Sequence, residues 1–105
     1  MVQIIWTTIA KNDYWSNIEY LESEWTLKDV YNFMDKTDDL IELLTKQNLI
    51  FKASKYKDVY HVPVTKQITL YYRVLENEKI ELLRFNILII NFIVVANNVV
   101  FMNHA

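Results

Sequence analysis

The alternation of apolar and polar residues is clearest between Gln67 and Phe85, where two strand-like runs flank Asn77 and Glu78. Runs rich in Tyr, Val, Leu and Ile on either side of turn-prone residues are typical of a β-hairpin. Asn tolerates the left-handed backbone conformation that tight hairpin turns require. We therefore expect a two-residue turn at Asn77-Glu78, although the hairpin contains no glycine.

This turn sets a register for the whole hairpin. It places Val74 opposite Glu81 and Tyr71 opposite Arg84. The only two arginines of the chain, Arg73 and Arg84, then become diagonal neighbours beside Tyr71 on one face of the sheet. The same register puts Ile80 and Leu82 on the arginine face. The opposite face is expected to be apolar and to contact helices; it consists of Leu70, Tyr72, Val74, Leu83 and Phe85.

Two amphipathic helices are predicted before the hairpin. Thr7 or Thr8 can cap a helix that runs to about Glu24, and Thr26 can cap a second, with Asp29 in the capping-box position. Only a residue or two separates them, which predicts an antiparallel helical hairpin. The apolar stripes are Ala10, Tyr14, Ile18, Leu21 and Trp25 in the first helix, and Val30, Phe33, Met34, Thr37, Ile41 and Leu44 in the second.

The remaining elements complete an α+β domain. Val2 to Trp6 is a strand candidate, residues 48–57 are a connector, and residues 58–64 are a second strand in which Pro63 indicates an edge position. The predicted order is an N-terminal strand, an antiparallel helical hairpin and a three-stranded antiparallel meander. Both helices should pack on one face of an antiparallel sheet.

The last twenty residues differ in kind from the rest. Residues 86–105 contain no Asp, Glu, Lys or Arg and are rich in β-prone Ile and Val. Asn97 and Asn98 lie between valine runs and could close another hairpin. A membrane-spanning tail is the rival interpretation, but several asparagines and a marginal length count against it. We therefore treat residues 1–85 as a domain and residues 86–105 as an uncharged apolar tail.

Charge is distributed unevenly along the chain. The 105 residues carry a formal charge of −2, which argues against a general nucleic-acid-binding protein. Residues 7–45 hold nine acidic side chains against three lysines, whereas residues 46–66 hold five lysines against Asp58 alone. A basic strip that includes Lys55 and Lys57 therefore lies within an acidic protein.

Residue types that are absent exclude several kinds of site. The chain has no cysteine, which excludes thiol nucleophiles and disulfides and favours a cytoplasmic location. It has no glycine, which excludes phosphate-cradling loops and dinucleotide-binding fingerprints. His61 and His104 are too few for a histidine metal cluster. The N-terminus lacks a secretory pattern. We expect no metal and no cofactor.

Three segments, in this order of elements, resemble the RelE/ParE superfamily of toxins from bacterial type II toxin–antitoxin systems. They read IIWTTIAKNDYWSNIEYLESEW, FMDKTDDLIELL and YYRVLENEKIELLRF. The resemblance covers residues 1–85. It implies a small toxin, active in growth inhibition or plasmid stabilisation, that a cognate antitoxin silences. RelE-like members cut mRNA on the ribosome, whereas ParE-like members poison DNA gyrase.

The resemblance favours target binding over RNA cleavage. The positions that align with the cationic catalytic residues of RelE-like members are His61, Pro63, Thr69 and approximately Ile90. Of these, only His61 could take part in proton transfer. The alternative is a ribosome-dependent endoribonuclease with an atypical set of weak candidates, namely His61, Lys66, Arg73 and Arg84.

The candidate contact residues for a target or an antitoxin are Tyr71, Arg73, Arg84, Lys55 and Lys57. Their plainer interpretation is a solvated sheet face and a solvated connector. The family usually ends in a charged segment, so the tail at 86–105 is either additional strands or non-family sequence. A frame-shifted or truncated end of that kind would inactivate a toxin. The sequence thus leaves open a gyrase-like target, a ribosome or mRNA target, and an inactivated toxin.

Overall fold

The computed structural model describes residues 2–46, 52–53, 58–87, 89–95 and 98–104, with side chains described at 2–46 and 58–87. The predicted α+β class and element order are confirmed. The elements are β1 (Gln3–Trp6), α1 (Thr8–Glu24), α2 (Leu27–Thr45), β2 (Lys52–Ala53), β3 (Val59–Pro63), β4 (Ile68–Leu75), β5 (Lys79–Ile87), β6 (Ile89–Val95) and β7 (Asn98–His104).

The main sheet has the strand order β1-β5-β4-β3-β2. Strands β3, β4 and β5 form the predicted antiparallel meander. Strand β1, however, pairs with β5 in parallel, so the sheet is mixed rather than antiparallel. A parallel neighbour is possible here because the helices and the meander together supply the long crossover connection that parallel pairing needs.

The predicted connector contains a short edge strand. Strand β2 pairs with Tyr60 and His61 of β3. The edge strand is therefore β2, and the prediction that β3 lies at the edge of the sheet was wrong. Among the described strand pairs, Pro63 pairs with Thr69 alone. Pro63 therefore still lies beyond the segment of β3 that β2 covers, which suits a residue without an amide donor.

The helix starts follow the predicted capping chemistry. The hydroxyl of Thr7 accepts a hydrogen bond from the amide of Ala10 at 3.1 Å. Thr26 and Asp29 form a reciprocal capping box: the Asp29 amide donates to the Thr26 hydroxyl at 3.3 Å, and the Thr26 amide donates to the Asp29 carboxylate at 3.2 Å. Both caps satisfy amides that a helix start leaves without partners.

The core lies between the two helices and one face of the sheet. Its helical part includes Ala10, Ile18, Leu21, Val30, Phe33 and Leu44, and its sheet part includes Ile68, Leu70, Tyr72, Ile80, Leu82 and Phe85. The predicted stripes of both helices are confirmed at these positions. Trp25 was expected to belong to the core-facing stripe of α1, but it is 47% exposed.

The turn between β4 and β5 is one residue longer than predicted. Leu75 pairs with Lys79, which leaves a three-residue loop at 76–78. The register near the turn therefore places Ile80 and Leu82 in the core, where they are 7% and 0% exposed, and not on the arginine face. Burial of these two apolar side chains explains the shift, because the two-residue turn would have put Glu81 on the core face.

A β-bulge then restores the predicted pairing. The register shifts between Tyr71 and Tyr72, so that Leu83 becomes an extra residue in β5. Beyond the bulge Tyr71 pairs with Arg84, as predicted. The bulge is needed because Leu82 and Phe85 are both buried, and their spacing of three residues is incompatible with uninterrupted alternation. Val74, which was expected to pack under the helices, is 45% exposed.

The turn also allows a direct test of the backbone account. Asn77 and Glu78 have φ angles of 60° and 55°, in the left-handed region. Because a β-branched residue is strongly disfavoured there, Asn77→Val should lower the free energy of unfolding by about 1–2 kcal/mol. Asn77→Gly should leave it unchanged or raise it. Urea unfolding measures both, and equal losses in the two variants would contradict the assigned turn.

The tail contributes a separate two-stranded sheet. Strands β6 and β7 pair antiparallel from Ile89–His104 to Val95–Asn98, so Asn98 lies in β7 and not in the turn that was expected at Asn97-Asn98. Strand β5 of the main sheet ends at Ile87. Within the described ranges, no helix has the length and apolarity to cross a membrane.

Candidate interaction face of the sheet

The sheet face opposite the helices, which we call the open face, carries a row of polar side chains. Tyr71 pairs with His61 on β3 and with Arg84 on β5. Paired residues project from the same face, and the neighbours of Tyr71 in β4, Leu70 and Tyr72, are buried under the helices. His61, Tyr71 and Arg84 therefore form one row across three strands, which we call the polar row.

Aromatic contact orders the row at one end. The rings of His61 and Tyr71 lie 5.6 Å apart between centroids, with 32° between their planes. Lys52 lies opposite His61 in the backbone register of β2. A planar, partly exposed aromatic pair beside a guanidinium can contact a flat or anionic group of a partner.

A second cation, Arg73, lies on the same face, in the next open-face row towards the turn at 76–78. Arg73 is two residues from Tyr71 in β4 and pairs with Glu81. An Nη atom of Arg73 lies 3.8 Å from the Glu81 carboxylate, and these side chains are 44% and 26% exposed. The register thus places both arginines on the open face, as predicted. Their functional roles remain predictions.

The guanidinium of Arg84 is held by an acid on the first helix. Its Nε donates to Asp13 Oδ2 at 3.0 Å, and its Nη2 donates to Asp13 Oδ1 at 3.1 Å. Such bidentate pairs fix the orientation of the guanidinium plane. The hydrogen bond to Asp13, with the attraction of its charge, raises the pKa of Arg84 despite some desolvation.

Along part of β5, side chains of helix α1 bond to backbone groups that a neighbouring strand would otherwise pair with. The pairing of β1 ends at Trp6–Leu82. Beyond that point the carboxylate of Asp13 accepts from the amide of Phe85 at 3.1 Å, and Nδ2 of Asn17 donates to the Phe85 carbonyl at 3.1 Å. Two side chains one helical turn apart therefore satisfy the edge of β5.

This arrangement predicts a stability loss for Asn17→Ala. Asn17 is 4% exposed, and its removal would leave the buried carbonyl of Phe85 without this donor. We expect the free energy of unfolding to fall by about 1–3 kcal/mol. Asn12→Ala, at an exposed site on the same helix, is the matched control and should change it little. Chemical denaturation compares the two, and equal effects would contradict the edge contact.

The other candidate residues are more dispersed. Lys66 is exposed in the turn at 64–67, between the end of β3 and the start of β4. Lys55 and Lys57 lie outside the described residues. Thr69 and Pro63, which align with catalytic positions of RelE-like toxins, pair with each other in the next open-face row after Tyr71 and His61. Their side chains cannot supply a cation there.

Sequence reasoning did not identify Asp13 and Asn17. Both lie beside the apolar stripe of α1, next to Tyr14 and Ile18, where polar residues four apart could have indicated a buried polar contact. It also missed Glu81 as the partner of Arg73, because the predicted turn had the wrong length. Within the described residues, no group of three His, Asp or Glu side chains could hold a metal ion.

Comparison with known proteins bears on the fold. No model of a known protein family matches the chain, and no curated protein matches its sequence. The structure is similar to a chain in the structure of the chromosomal ParDE toxin–antitoxin system of Pseudomonas aeruginosa. The TM-score is 0.67 at 13% identity, and the match covers 83% of this chain and 96% of that chain. The chain has the RelE/ParE toxin fold.

Two further solved structures agree with this assignment. The YoeB/ParE toxin from Agrobacterium tumefaciens gives a TM-score of 0.58 at 14% identity, covering 82% of this chain and 98% of that one. A chain of the Escherichia coli DinJ–YafQ complex gives 0.56 at 16% identity, covering 83% and 93%. At this level of identity the RelE/ParE fold is shared, whereas the chemistry of the open face has to be argued from its own residues.

Proposed function

We propose that this protein is the toxin component of a type II toxin–antitoxin system and docks on a protein target through its open face. The polar row of His61, Tyr71 and Arg84, carried on a RelE/ParE fold, is the observation that supports this proposal most strongly. A rigid sheet with an oriented arginine and an aromatic pair has the composition of a binding hot spot.

Charge favours a protein target over a nucleic acid. Arg84 is paired with Asp13, and Arg73 with Glu81, so both arginines of the open face are compensated by carboxylates. Nucleic-acid-binding surfaces instead accumulate uncompensated cations against phosphates. Among the positions that align with cationic catalytic residues, Pro63 and Thr69 lack proton-transfer groups. A gyrase-like mode of action, by binding rather than by cleavage, is therefore the proposal.

Cleavage of mRNA on the ribosome is the second candidate. His61 lies in the same row as Arg84, and its ring contacts Tyr71. A histidine beside an arginine could act as a general base near a group that stabilises negative charge. Arg73 lies on the same face, whereas Lys66 is in the turn at 64–67 between β3 and β4. Such a site would therefore use His61, Arg73 and Arg84 of the four predicted residues.

A cognate antitoxin is part of the proposal. Structures with this fold include the ParDE toxin–antitoxin system and the DinJ–YafQ complex. By the same logic, this chain would be silenced by a partner that covers its working surface. Co-expression of the protein with the product of an adjacent small gene should then restore growth, while co-expression with an unrelated antitoxin should not.

Induced expression in a bacterial host tests the proposal. Growth arrest with DNA damage and filamentation would support a gyrase-like target. Growth arrest with rapid, ribosome-dependent mRNA cleavage would favour the second candidate. Normal growth, with the protein present at the same level and folded by circular dichroism, would overturn the toxin proposal and support an inactivated toxin.

A further inference from the structure

We infer that Asp13 is a positioning residue, which holds the Arg84 guanidinium in one orientation so that it can bind a carboxylate of the protein target. This inference rests on the proposed function and deepens it. It concerns how the open face recognises a partner, and it assigns a role to a helix residue that the fold alone would explain as packing.

The donors of the Arg84 guanidinium are divided between Asp13 and the solvent-facing edge. Asp13 uses Nε and Nη2, which form one edge of the guanidinium. In the described part of the chain, the side-chain hydrogen bonds of Arg84 use Nε and Nη2 and not Nη1. The Arg84 side chain is 57% exposed while that of Asp13 is 16% exposed, so the outer edge of the fork remains accessible.

The Asp13 carboxylate is itself held in place. It belongs to the regular part of α1, and its Oδ2 accepts the amide of Phe85 as well as Nε of Arg84. The carboxylate is therefore tied to the backbone next to the arginine that it orients. An arginine held in this way loses less conformational freedom when it binds than one on an unrestrained stem.

The free edge of Arg84 favours a carboxylate as its ligand. The accessible edge of a guanidinium matches the two oxygens of a carboxylate, and Tyr71 in the paired position adds a hydroxyl and an aromatic ring. Phosphate has similar oxygen geometry. A nucleic acid would, however, need several uncompensated cations, and the two open-face arginines are both paired. An acidic side chain of a protein is the ligand that this geometry favours.

Two substitutions that preserve charge separate positioning from electrostatics. Asp13→Glu keeps the negative charge but lengthens the side chain, and Arg84→Lys keeps the positive charge but removes the planar fork. Asn17→Ala is the control for helix docking, because Asn17 also binds the backbone of Phe85 but does not contact Arg84. The three variants would be compared with the unaltered protein after each is shown to be folded.

Growth inhibition on induction is the first readout. We expect Asp13→Glu and Arg84→Lys to reduce it by about tenfold, because each disrupts the oriented charged contact, and Asn17→Ala to reduce it by less than about twofold. Full activity of both charge-preserving variants would overturn the inference. So would an equal loss in Asn17→Ala, since Asp13 would then act only by docking the helix.

Nuclear magnetic resonance of the Arg84 Nε–H group is the second readout and does not depend on toxicity. The signal should persist in the unaltered protein, and a hexaglutamate peptide should shift it saturably, with at least about fivefold weaker binding in Asp13→Glu. If the protein fails to inhibit growth but shows this pattern, the proposed function fails while the positioning role holds. No shift, no dependence on Asp13, or a response only to a hexauridylate oligonucleotide would overturn the inference.

Discussion

Phe85→Ala is expected to lower the free energy of unfolding by about 3–5 kcal/mol, enough to unfold much of a small domain. Phe85 is 1% exposed. Its ring stacks on Trp6 at 5.5 Å and meets the rings of Tyr14 at 5.5 Å and Phe33 at 6.0 Å in edge contacts. Truncation would leave a cavity at the point where α1, α2, β1 and β5 converge.

Urea unfolding followed by tryptophan fluorescence measures this effect. Ile9→Ala is the matched control, because Ile9 is apolar but 55% exposed, and we expect a change within about 0.5 kcal/mol. A loss below about 1 kcal/mol in Phe85→Ala would contradict the position of Phe85 in the core. It would also contradict the bulged register, since only the bulge brings both Leu82 and Phe85 to the helix side.

Arg84→Ala is expected to reduce growth inhibition by about tenfold or more, because it removes the oriented cation from the polar row. The variant should remain folded, since the Asp13 carboxylate keeps its hydrogen bond from the Phe85 amide. Growth of cells that express equal amounts of each protein, over a range of inducer, gives the comparison. Unchanged inhibition would remove Arg84 from the working surface.

Arg73→Ala is the control for charge alone. Arg73 lies on the same face, and its contact with Glu81 is longer, at 3.8 Å, so its guanidinium is less restrained. We expect a smaller loss of growth inhibition than for Arg84→Ala. Equal losses would indicate that the open face attracts its target by general charge, and that the bidentate contact between Arg84 and Asp13 has no separate role.

Local patterns predicted the elements of this fold well. The capping hydroxyls of Thr7 and Thr26 and the apolar stripes of both helices are local signals, and the structure confirms them. The antiparallel meander follows from short connections between β-prone runs. These features could be predicted because their physical causes lie within a few residues of one another in the chain.

The pairing of Tyr71 with Arg84 was correct although the turn was not. The loop at 76–78 is one residue longer than predicted, and the bulge at Leu83 adds one residue to β5, so the two errors cancel beyond the bulge. The spacing of Ile80, Leu82 and Phe85 contained the signal for the bulge. Closer to the turn the errors do not cancel, and there the prediction put Leu82 on the wrong face.

Long-range polar contacts were beyond sequence reasoning. The contact of Asp13 with Arg84 joins residues 71 positions apart. It exists because β1 ends at Trp6 and leaves the edge of β5 to α1. Nothing in the local pattern specifies where an edge strand stops relative to a helix. The parallel placement of β1 and the short strand β2 were missed for the same reason, since both depend on how distant segments meet.

The most direct test of the open face as the working surface compares a glutamate introduced on that face with a glutamate introduced on helix α1. Tyr71→Glu changes the polar row, and Trp15→Glu changes a helix residue that is 58% exposed. With both variants folded and expressed equally, the account predicts that Tyr71→Glu loses growth inhibition and Trp15→Glu retains it. Inhibition that survives Tyr71→Glu and disappears in Trp15→Glu would place the working surface on the helices.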